Sequence, residues 1–399
     1  HYRLCHNLFR MCQGEKKIME DLYDFKDTTL TSKVELSEID KNIFKNFDFT
    51  FDGKTEFTIP HFSKVQEDFS IGVIYGSSGS GKSSILKEYG EEEKLVWDNN
   101  KTIASHFNSV EDAIERFGAV GLNTVPTWAK PRKVLSNGEG FRCDLARRLK
   151  SNIVIDEFTS VVNRDVAKSC SLSLFKYVKR KGLKNIVLAT CHDDILEWLQ
   201  PDWVFNTDAK RFASRGLVRR PIEIKIIKGN RQYWELFKKH HYLTEELPQS
   251  AQCYLAVWND RIIGFSSSMS LPGWTPPLYE GDKRLKWREA RTVVLPDFQG
   301  LGIGVRLSDA IGDIMLEQNV RYYSKTSHIR MGEYRQKSPL WRATVSNLKD
   351  RSSDTHDHKK RLIPLARDRI CYSHEYIGEN NKSYDPKYNR PEDNQINFF

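Results

Sequence analysis

The sequence lacks the features of a membrane protein, a disulfide-rich secreted protein or a zinc protein. It has seven cysteines in 399 residues, an odd number, and no Cys-x-x-Cys pair. No apolar run approaches the roughly 20 residues that a membrane-spanning helix requires. The scattered thiols therefore predict packing roles in a protein of the reducing cytoplasm, with no disulfide framework, zinc site or membrane anchor.

Length and charge predict several domains with different partners. A chain of 399 residues is long enough for two or three domains. We place an N-terminal extension at 1–45, domains at 46–209 and 222–378, a basic linker at 210–221 and a tail at 379–399. Residues 211–399 hold 32 Lys+Arg against 22 Asp+Glu, a net charge of +10. This charge indicates nucleic acid or a phosphate-bearing cofactor as partner, or simply a solvated surface.

Short apolar runs predict a parallel, buried sheet in the first domain. Alternation over residues 46–51 and 56–59 predicts two strands that form a hairpin at Asp52-Gly53. Three unbroken runs, at 71–75, 152–155 and 185–190, are typical of buried parallel strands. A helix is expected at Glu15–Phe25.

The first run leads into a phosphate-binding loop. Residues 76–83 read Gly76-Ser77-Ser78-Gly79-Ser80-Gly81-Lys82-Ser83, the pattern G-x-x-x-x-G-K-S. Glycines allow successive backbone N–H groups to surround phosphate oxygens, and the helix predicted over Ser84–Tyr89 adds partial positive charge. Ser84 joins the loop in the predicted ATP site. Lys82 would reach the β- and γ-phosphates, and the Ser83 hydroxyl would hold Mg²⁺.

A carboxylate pair follows the second buried run. Asp156 ends the strand Ile153–Ile155 and is the expected second Mg²⁺ ligand. Glu157 comes next and is positioned to orient or deprotonate the attacking water.

Two further segments resemble the ABC-type ATPases. Leu135-Ser136-Asn137-Gly138-Glu139 is similar to the ABC signature, with Asn137 in place of the first glycine, and precedes a helix predicted at Phe141–Lys150. His192 follows the third strand, as the ABC switch histidine does. The resemblance implies Glu157 as catalytic carboxylate and His192 as γ-phosphate sensor. It also implies that Ser136, Gly138 and Glu139 contact ATP on a second copy, in a homodimer.

One ABC feature is missing. No glutamine occurs between residues 67 and 199, so the Q-loop residue is absent, and Asp98 or Asn99 is left as a substitute.

The second domain has a glycine turn of another kind. A hairpin at 254–265, with Asn259-Asp260 at its turn, precedes the strand Thr292–Leu295, and a helix at about 303–318 and a strand Val320–Ser324 follow. Between them lies Gln299-Gly300-Leu301-Gly302-Ile303-Gly304. This arrangement resembles the GNAT acyltransferase core over about 222–378. The resemblance implies an acetyl-CoA site that comprises Val293, Val294, Leu295, Gln299, Leu301, Gly302, Ile303, Gly304 and the charge partner Arg306. The main chain of Val293, Val294 and Leu295 would bind the pantetheine arm.

Acyl transfer to an amine calls for a base and an acid. Glu289 and His328 are the candidate bases. Tyr322, Tyr323 and Tyr334 are the candidate acids. Spacing favours no single member of either group.

The expected fold is therefore α/β, with an ABC-type ATPase domain on a mixed or parallel sheet and a GNAT-like α+β domain on a mostly antiparallel sheet. The arrangement resembles a fusion family of prokaryotes and their viruses. We expect an ATP-regulated, acetyl-CoA-dependent N-acyltransferase that acts on nucleic acid or a nucleic-acid-associated acceptor, with DNA base modification as one form. The alternatives are an ABC-type clamp on nucleic acid or a ribosome, with a non-catalytic second domain, and a toxin or defence effector.

Overall fold

The computed structural model describes residues 27–60, 62, 65, 68–214, 221–241, 246–271, 284–349 and 371–379. They form two compact units. The first comprises the described residues up to Asn123 and from Thr127 to Pro221, and the second comprises Thr124–Pro126 and the described residues from Ile222 onward. The predicted helix at Glu15–Phe25 and the tail from residue 380 lie outside the described residues. None of the helices within those ranges is both long and apolar enough to cross a membrane.

A small two-stranded sheet opens the described chain. Strand β1 (Thr28–Lys33) pairs antiparallel with β2 (Lys54–Ile59), and helix α1 (Glu38–Asn46) lies between them in sequence. The predicted hairpin at Asp52-Gly53 is therefore wrong, because residues 47–51 form no strand and β2 pairs with an earlier segment. A reciprocal capping box between Ser37 and Asp40 starts the helix. The alternating apolar pattern of residues 46–51 does not reveal this helix-capping signal.

The first unit is built on a five-stranded sheet. Its strands are β3 (Ile71–Tyr75), β4 (Ile153–Ile155), β5 (Ile186–Thr190), β6 (Trp203–Asn206) and β7 (Arg211–Ser214). The order is β4-β5-β3-β6-β7, with the first four strands parallel and β7 antiparallel to β6. All residues of β4 and β5 are buried, which confirms the predicted buried parallel sheet. Strand β7 lies in the segment predicted as a linker.

Helices and two apolar clusters complete this unit. The helices are α2 (Lys82–Leu86), α3 (Val110–Ala119), α5 (Asn137–Arg148), α6 (Arg164–Lys181) and α7 (Leu196–Leu199), with 3₁₀ turns at Ile103–His106 and Arg132–Val134. The short helix α4 (Val125–Trp128) has its last two residues in this unit and its first two in the second. One cluster joins Phe117 and Leu174 to β5. The other stacks Phe62 on Phe205, with ring centroids 4.6 Å apart.

The second unit is a seven-stranded sheet with helices. Its strands are β8 (Lys225–Gly229), β9 (Gln252–Trp258), β10 (Arg261–Ser270), β11 (Lys286–Val294), β12 (Arg321–Thr326), β13 (Trp341–Ala343) and β14 (Tyr372–Tyr376). Its helices are α8 (Trp234–Phe237), α9 (Ile303–Glu317) and α10 (Ile329–Lys337), with 3₁₀ turns at Arg231–Tyr233, Lys238–His240 and Pro296–Phe298. The order is β13-β14-β12-β11-β10-β9-β8, and only the β11–β12 pair is parallel.

The predicted hairpin of this unit is confirmed. Strands β9 and β10 are antiparallel and meet at Asn259 and Asp260, whose φ angles are +47° and +59°. Two consecutive positive φ values are the requirement of a type I′ turn, which matches the twist of the flanking strands. The mostly antiparallel sheet expected for this half is present.

Strands β11 and β12 separate along their length. They pair only over Lys286–Arg288 and Arg321–Tyr323, whereas β11 continues to Val294 and β12 to Thr326. The register of β11 with β10 shifts at Ala290, the extra residue of a β-bulge. Because a bulge bends and twists its strand, it explains why the carboxyl ends of β11 and β12 diverge.

Candidate functional sites

The phosphate loop of the first unit has the predicted backbone form. It joins β3 to α2, and Gly79 and Gly81 adopt φ angles of +77° and +91°. Only glycine adopts such angles without strain. The helix begins at Lys82 and ends at Leu86, earlier than the predicted Ser84–Tyr89. The first-turn N–H groups of a helix have no intrahelical acceptor, so this loop offers several donors to an anion.

Lys82 lies across the mouth of the loop. Its ammonium group donates to the carbonyl of Gly76 at 3.1 Å and to that of Ser77 at 2.5 Å. These carbonyls are the partners that a phosphate would replace, since the ammonium sits on a flexible four-carbon stem.

Two residues beyond β6 support the loop, and sequence reasoning missed both. The Asp208 carboxylate accepts the N–H and the hydroxyl of Ser77, each at 2.7 Å. The Thr207 and Ser80 hydroxyls are 2.6 Å apart. A Cβ on Gly76 would lie 2.1 Å from the Thr207 hydroxyl, so the first loop position has no room for a side chain. Recognising β6 as a neighbour of β3 would have placed Asp208 at this end of the sheet.

The predicted acidic residues lie at the same edge of the sheet. Asp156 follows β4, two strands from β3, and parallel strands present their carboxyl ends together. Its carboxylate accepts the N–H of Glu157 at 2.8 Å, and Glu157 has a φ of +48°. The Ser160 hydroxyl donates to the Glu157 carbonyl at 2.7 Å.

The chemistry of this edge suits Mg²⁺, which prefers oxygen ligands and keeps several waters and substrate phosphates. Ser83 and Asp156 are the predicted oxygen ligands. No group of three or more His, Cys, Asp or Glu side chains suited to a metal occurs among the described residues. A site here would therefore depend on the phosphates of a bound nucleotide.

His192 follows β5, between the strands of the loop and the carboxylates. Its Nδ1 is 3.3 Å from the Thr159 hydroxyl. Burial, assisted by the cation of Arg164, lowers the pKa of His192 below its usual value. This lowering favours the neutral imidazole, which can donate one hydrogen bond and accept another.

The signature-like residues form the beginning of α5. Helix α5 begins at Asn137, before the predicted Phe141, because Ser136 and Glu139 form a reciprocal capping box. Glu139 also accepts the Thr127 hydroxyl at 2.9 Å. Burial raises the pKa of Glu139, but its bonds to Ser136 and Thr127 outweigh burial and leave the pKa lowered. The nearest atom to a Cβ on Gly138 is 3.9 Å away, on Val162, so packing alone does not require a glycine there.

The glycine turn of the second unit ends in an uncapped helix. Gly300 and Gly302 adopt φ angles of +87° and +88°, and Gly302 is the N-cap of α9 with no side-chain hydrogen bond to the helix. The N–H groups from Ile303 onward begin the first turn and carry the partial positive charge of the helix. Gln299 donates its amide to the Val294 carbonyl at 2.9 Å, which ties the turn to the end of β11.

The open edge of β11 lies beside this turn. The N–H of Leu295 donates to the carbonyl of Ile263 on β10 at 2.9 Å. Backbone N–H and C=O groups alternate between the two sides of a strand, so those of Val293 also face β10. Val293, Val294 and Leu295 are the residues expected to bind the pantetheine arm. The backbone groups of Val293 and Leu295 face β10 instead of the gap, whereas those of Val294 do not. Thr292 and Val294 are the residues whose backbone groups face the gap between β11 and β12.

Glu289 lies where the two strands begin to separate. Its carboxylate accepts the Ser324 hydroxyl at 2.6 Å, the Thr292 hydroxyl at 2.5 Å and the Arg335 guanidinium at 2.7 Å. Burial raises the pKa of Glu289, but Arg335 and the hydroxyl donors outweigh burial and leave the pKa lowered. A buried, ion-paired carboxylate is a poor proton acceptor.

His328 caps α10 rather than facing open solvent. Its Nδ1 accepts the N–H of Met331 at 3.4 Å. Burial, together with the cation of Arg330, lowers the pKa of His328 to about 4. The neutral imidazole thus carries its proton on Nε2.

The candidate acids lie in three different settings. The Tyr334 hydroxyl donates to Asp309 at 2.5 Å, and burial followed by that carboxylate raises the pKa of Tyr334. Burial also raises the pKa of Tyr322. Tyr323 is buried, and the Arg321 guanidinium lies over it, 5.3 Å from the centroid of the Tyr323 ring.

Arg306 lines a cavity of about 370 Å³ together with Asp309, Asp313 and Tyr376.

One protein-family model matches part of the chain. Residues 192–331 match the family model described as Acetyltransferase (GNAT) family, which confirms the resemblance indicated by the glycine turn. No curated protein matches the chain.

Solved structures of two kinds are similar to the chain. One is a dimeric ATP-binding cassette in a post-hydrolysis state bound to ADP and Pi, with 17% identity, a TM-score of 0.32, and coverage of 49% of this chain and 100% of that chain. Another is a Bacillus subtilis acetyltransferase in complex with CoA, with 16% identity, a TM-score of 0.26, and coverage of 39% of this chain and 99% of that chain.

Proposed function

We propose that this chain, with its GNAT match at 192–331, is an acyl-CoA-dependent N-acyltransferase regulated by ATP. The observation that carries the proposal is the coincidence of two backbone features in one place. The open edge of β11 ends at Val294, and the uncapped N-terminus of α9 follows eight residues later at Gly302. The strand edge suits the amides of a pantetheine arm, and the helix N-terminus suits its pyrophosphate.

The reaction needs little covalent chemistry from the protein. The acceptor nitrogen attacks the thioester carbonyl carbon, the C–N bond forms, the C–S bond breaks, and CoA leaves as a thiolate that takes up a proton. Because Glu289 is ion-paired and His328 is a weak base, we assign the base role to neither. The amine attacks in its neutral form. After the attack one of its two N–H protons leaves to solvent, the other stays on the amide nitrogen, and the thiolate takes up a proton from solvent.

The first unit is proposed to bind Mg²⁺ and ATP. Lys82 and the loop amides would hold the phosphates, Ser83 and Asp156 would hold the metal, and Glu157 would orient the attacking water. A chain with one phosphate loop and one signature needs a second copy to complete each site. We therefore propose an ATP-dependent, two-fold homodimer.

The acceptor is proposed to be nucleic acid or a nucleic-acid-associated molecule. The support is the net charge of +10 over residues 211–399, since Lys and Arg neutralise phosphates. Transfer from acetyl-CoA to DNA, RNA and polyamine acceptors, followed as release of free thiol, separates these classes. Turnover with polyamine alone would contradict a nucleic-acid acceptor.

One observation favours a second candidate, a nucleic-acid or ribosome clamp with a non-catalytic second unit. Both candidate bases have structural roles, Glu289 in an ion pair and His328 as a helix cap. Binding of acetyl-CoA without thiol release on any acceptor supports this candidate over the transferase.

The acyl-CoA site is tested by calorimetric titration of the full chain with acetyl-CoA. Gly302→Asp places a carboxylate at the proposed pyrophosphate site and is expected to abolish binding. Unchanged affinity in a folded variant would contradict the site.

A further inference from the structure

We infer that the buried Glu289–Arg335 ion pair is a positioning device that fixes the width of the gap between β11 and β12. This inference rests on the proposed function, because the gap is where the acyl-CoA arm is proposed to bind. It assigns to Glu289 a role other than that of a base.

Glu289 lies one residue beyond the point where the backbone pairing of β11 with β12 ends. The parallel pairing of β11 with β12 ends at Arg288 and Tyr323. Glu289 and Ser324 are the next residue on each strand, and their side chains meet at 2.6 Å. Side chains thus connect β11 and β12 just beyond the point where the backbone pairing between them ends.

The second argument is that the pair joins four elements. Arg335 on α10 donates to Glu289 at 2.7 Å and to Ser308 on α9 at 2.8 Å. Helix α9 begins at Gly302, the proposed pyrophosphate site. The network therefore sets the positions of both strand ends and of the helix that would hold the cofactor.

Burial is the third argument. The side chains of Arg335 and Glu289 are 1% and 8% exposed. A buried ion pair stabilises a fold no better than apolar side chains of similar size, because both ions lose their hydration. A defined geometry between the two strands is what this pair provides and a leucine pair would not.

The same unit contains a matched control. Arg321 and Glu375 form a second ion pair, 3% and 4% exposed, with contacts of 2.8 and 3.1 Å. It joins β12 to β14, which remain paired over five residues. Arg321 and Ser324 are an odd number of residues apart, so the control pair lies on the opposite face of β12.

The experiment compares Glu289→Gln with Glu375→Gln in the full chain. Both variants leave a buried arginine without its carboxylate and are expected to unfold at lower urea concentration. Glu289→Gln is expected to raise the acetyl-CoA dissociation constant and KM on the order of tenfold, as a small displacement of a binding site does. Glu375→Gln is expected to leave both within about twofold of wild type, because its pair lies on the opposite face of β12 and joins that strand to β14 rather than to β11.

Two results would overturn the inference. The first is equal acetyl-CoA affinity in folded Glu289→Gln and wild type. The second is loss of the acidic limb of the pH profile of kcat with KM unchanged, which is the behaviour expected when a general base is removed. If wild type itself binds no acetyl-CoA, the proposed function fails as well, which distinguishes that outcome from the first two.

Ser324→Ala covers the case in which Glu289→Gln does not fold. It removes the bond across the gap and keeps both charges. KM for acetyl-CoA is expected to rise several-fold with kcat unchanged, whereas Ser373→Ala, whose hydroxyl bonds Thr344 at 2.8 Å, is expected to change neither. Equal KM values in the two serine variants would overturn the inference.

Discussion

Replacing His328 by asparagine is expected to remove one component of acid destabilisation. His328 caps α10 through Nδ1, and burial lowers its pKa from 6.5 to about 4. Asparagine is also a good N-cap but does not titrate. The variant therefore keeps the helix cap and lacks the loss of stability that protonation of His328 causes at low pH.

Because the pKa of His328 is lowered in the folded state, acid is expected to reduce the stability of the wild-type protein. The folded state holds the imidazole neutral at pH values where the unfolded chain has already bound a proton. Wild type therefore has its full stability above about pH 6.5 and loses it as the pH falls toward 4. A shift from 6.5 to about 4 corresponds to about 2 kcal/mol at pH 5, and partial exposure of the ring reduces this to about 1–2 kcal/mol.

Urea denaturation of both proteins at pH 8 and pH 5 measures the effect. At pH 8 the two free energies of unfolding are expected to agree within about 0.5 kcal/mol. At pH 5 the asparagine variant is expected to be more stable by about 1–2 kcal/mol in the transition that contains α10. Equal losses in both proteins between pH 8 and pH 5 would refute the reasoning, as would an NMR titration that places the pKa of His328 above 6.

Other predictions concern packing, assembly and backbone strain. Gly72→Ala would place a Cβ 2.1 Å from the Trp203 ring and is expected to lower the free energy of unfolding of the first unit by about 1–3 kcal/mol. Urea denaturation checks this, and an unchanged midpoint would contradict it. Glu157→Gln with ATP and Mg²⁺ is expected to be dimeric by light scattering, because ATP would persist in the site; a monomer would contradict the proposed assembly. Gly302→Ala and Gly182→Ala both strain a positive φ, at +88° and +63°, but only the first is expected to weaken acetyl-CoA binding by calorimetry. Equal affinity in both would argue against a cofactor turn at Gly302.

Signals within a few residues were sufficient for much of the fold. Asn259-Asp260 predicts a type I′ hairpin because few residue pairs accept two positive φ angles. The glycines of both turns predict their backbone forms for the same reason. These features depend on local chemistry, so the sequence pattern carries them directly.

Features that depend on residues far apart in the chain could not be predicted from the sequence. Residues 47–51 alternate like a strand, yet β2 pairs with the earlier strand β1. The Cα partners are 21 residues apart at Lys33 and Lys54 and 31 residues apart at Thr28 and Ile59. The Glu289–Arg335 pair spans 46 residues, and Asp208 lies 131 residues from Ser77. No local pattern connects such partners, so the sequence alone predicts Glu289 as a candidate base and gives Asp208 no role.

The central claim is that one chain forms two separate anion sites from backbone amides, one for ATP and one for acyl-CoA. Calorimetric titration of wild type, Lys82→Ala and Gly302→Asp with ATP and with acetyl-CoA tests it directly. Wild type is expected to bind both ligands, Lys82→Ala acetyl-CoA alone, and Gly302→Asp ATP alone. Failure of folded wild type to bind either ligand, or loss of both ligands in one folded variant, would contradict the claim.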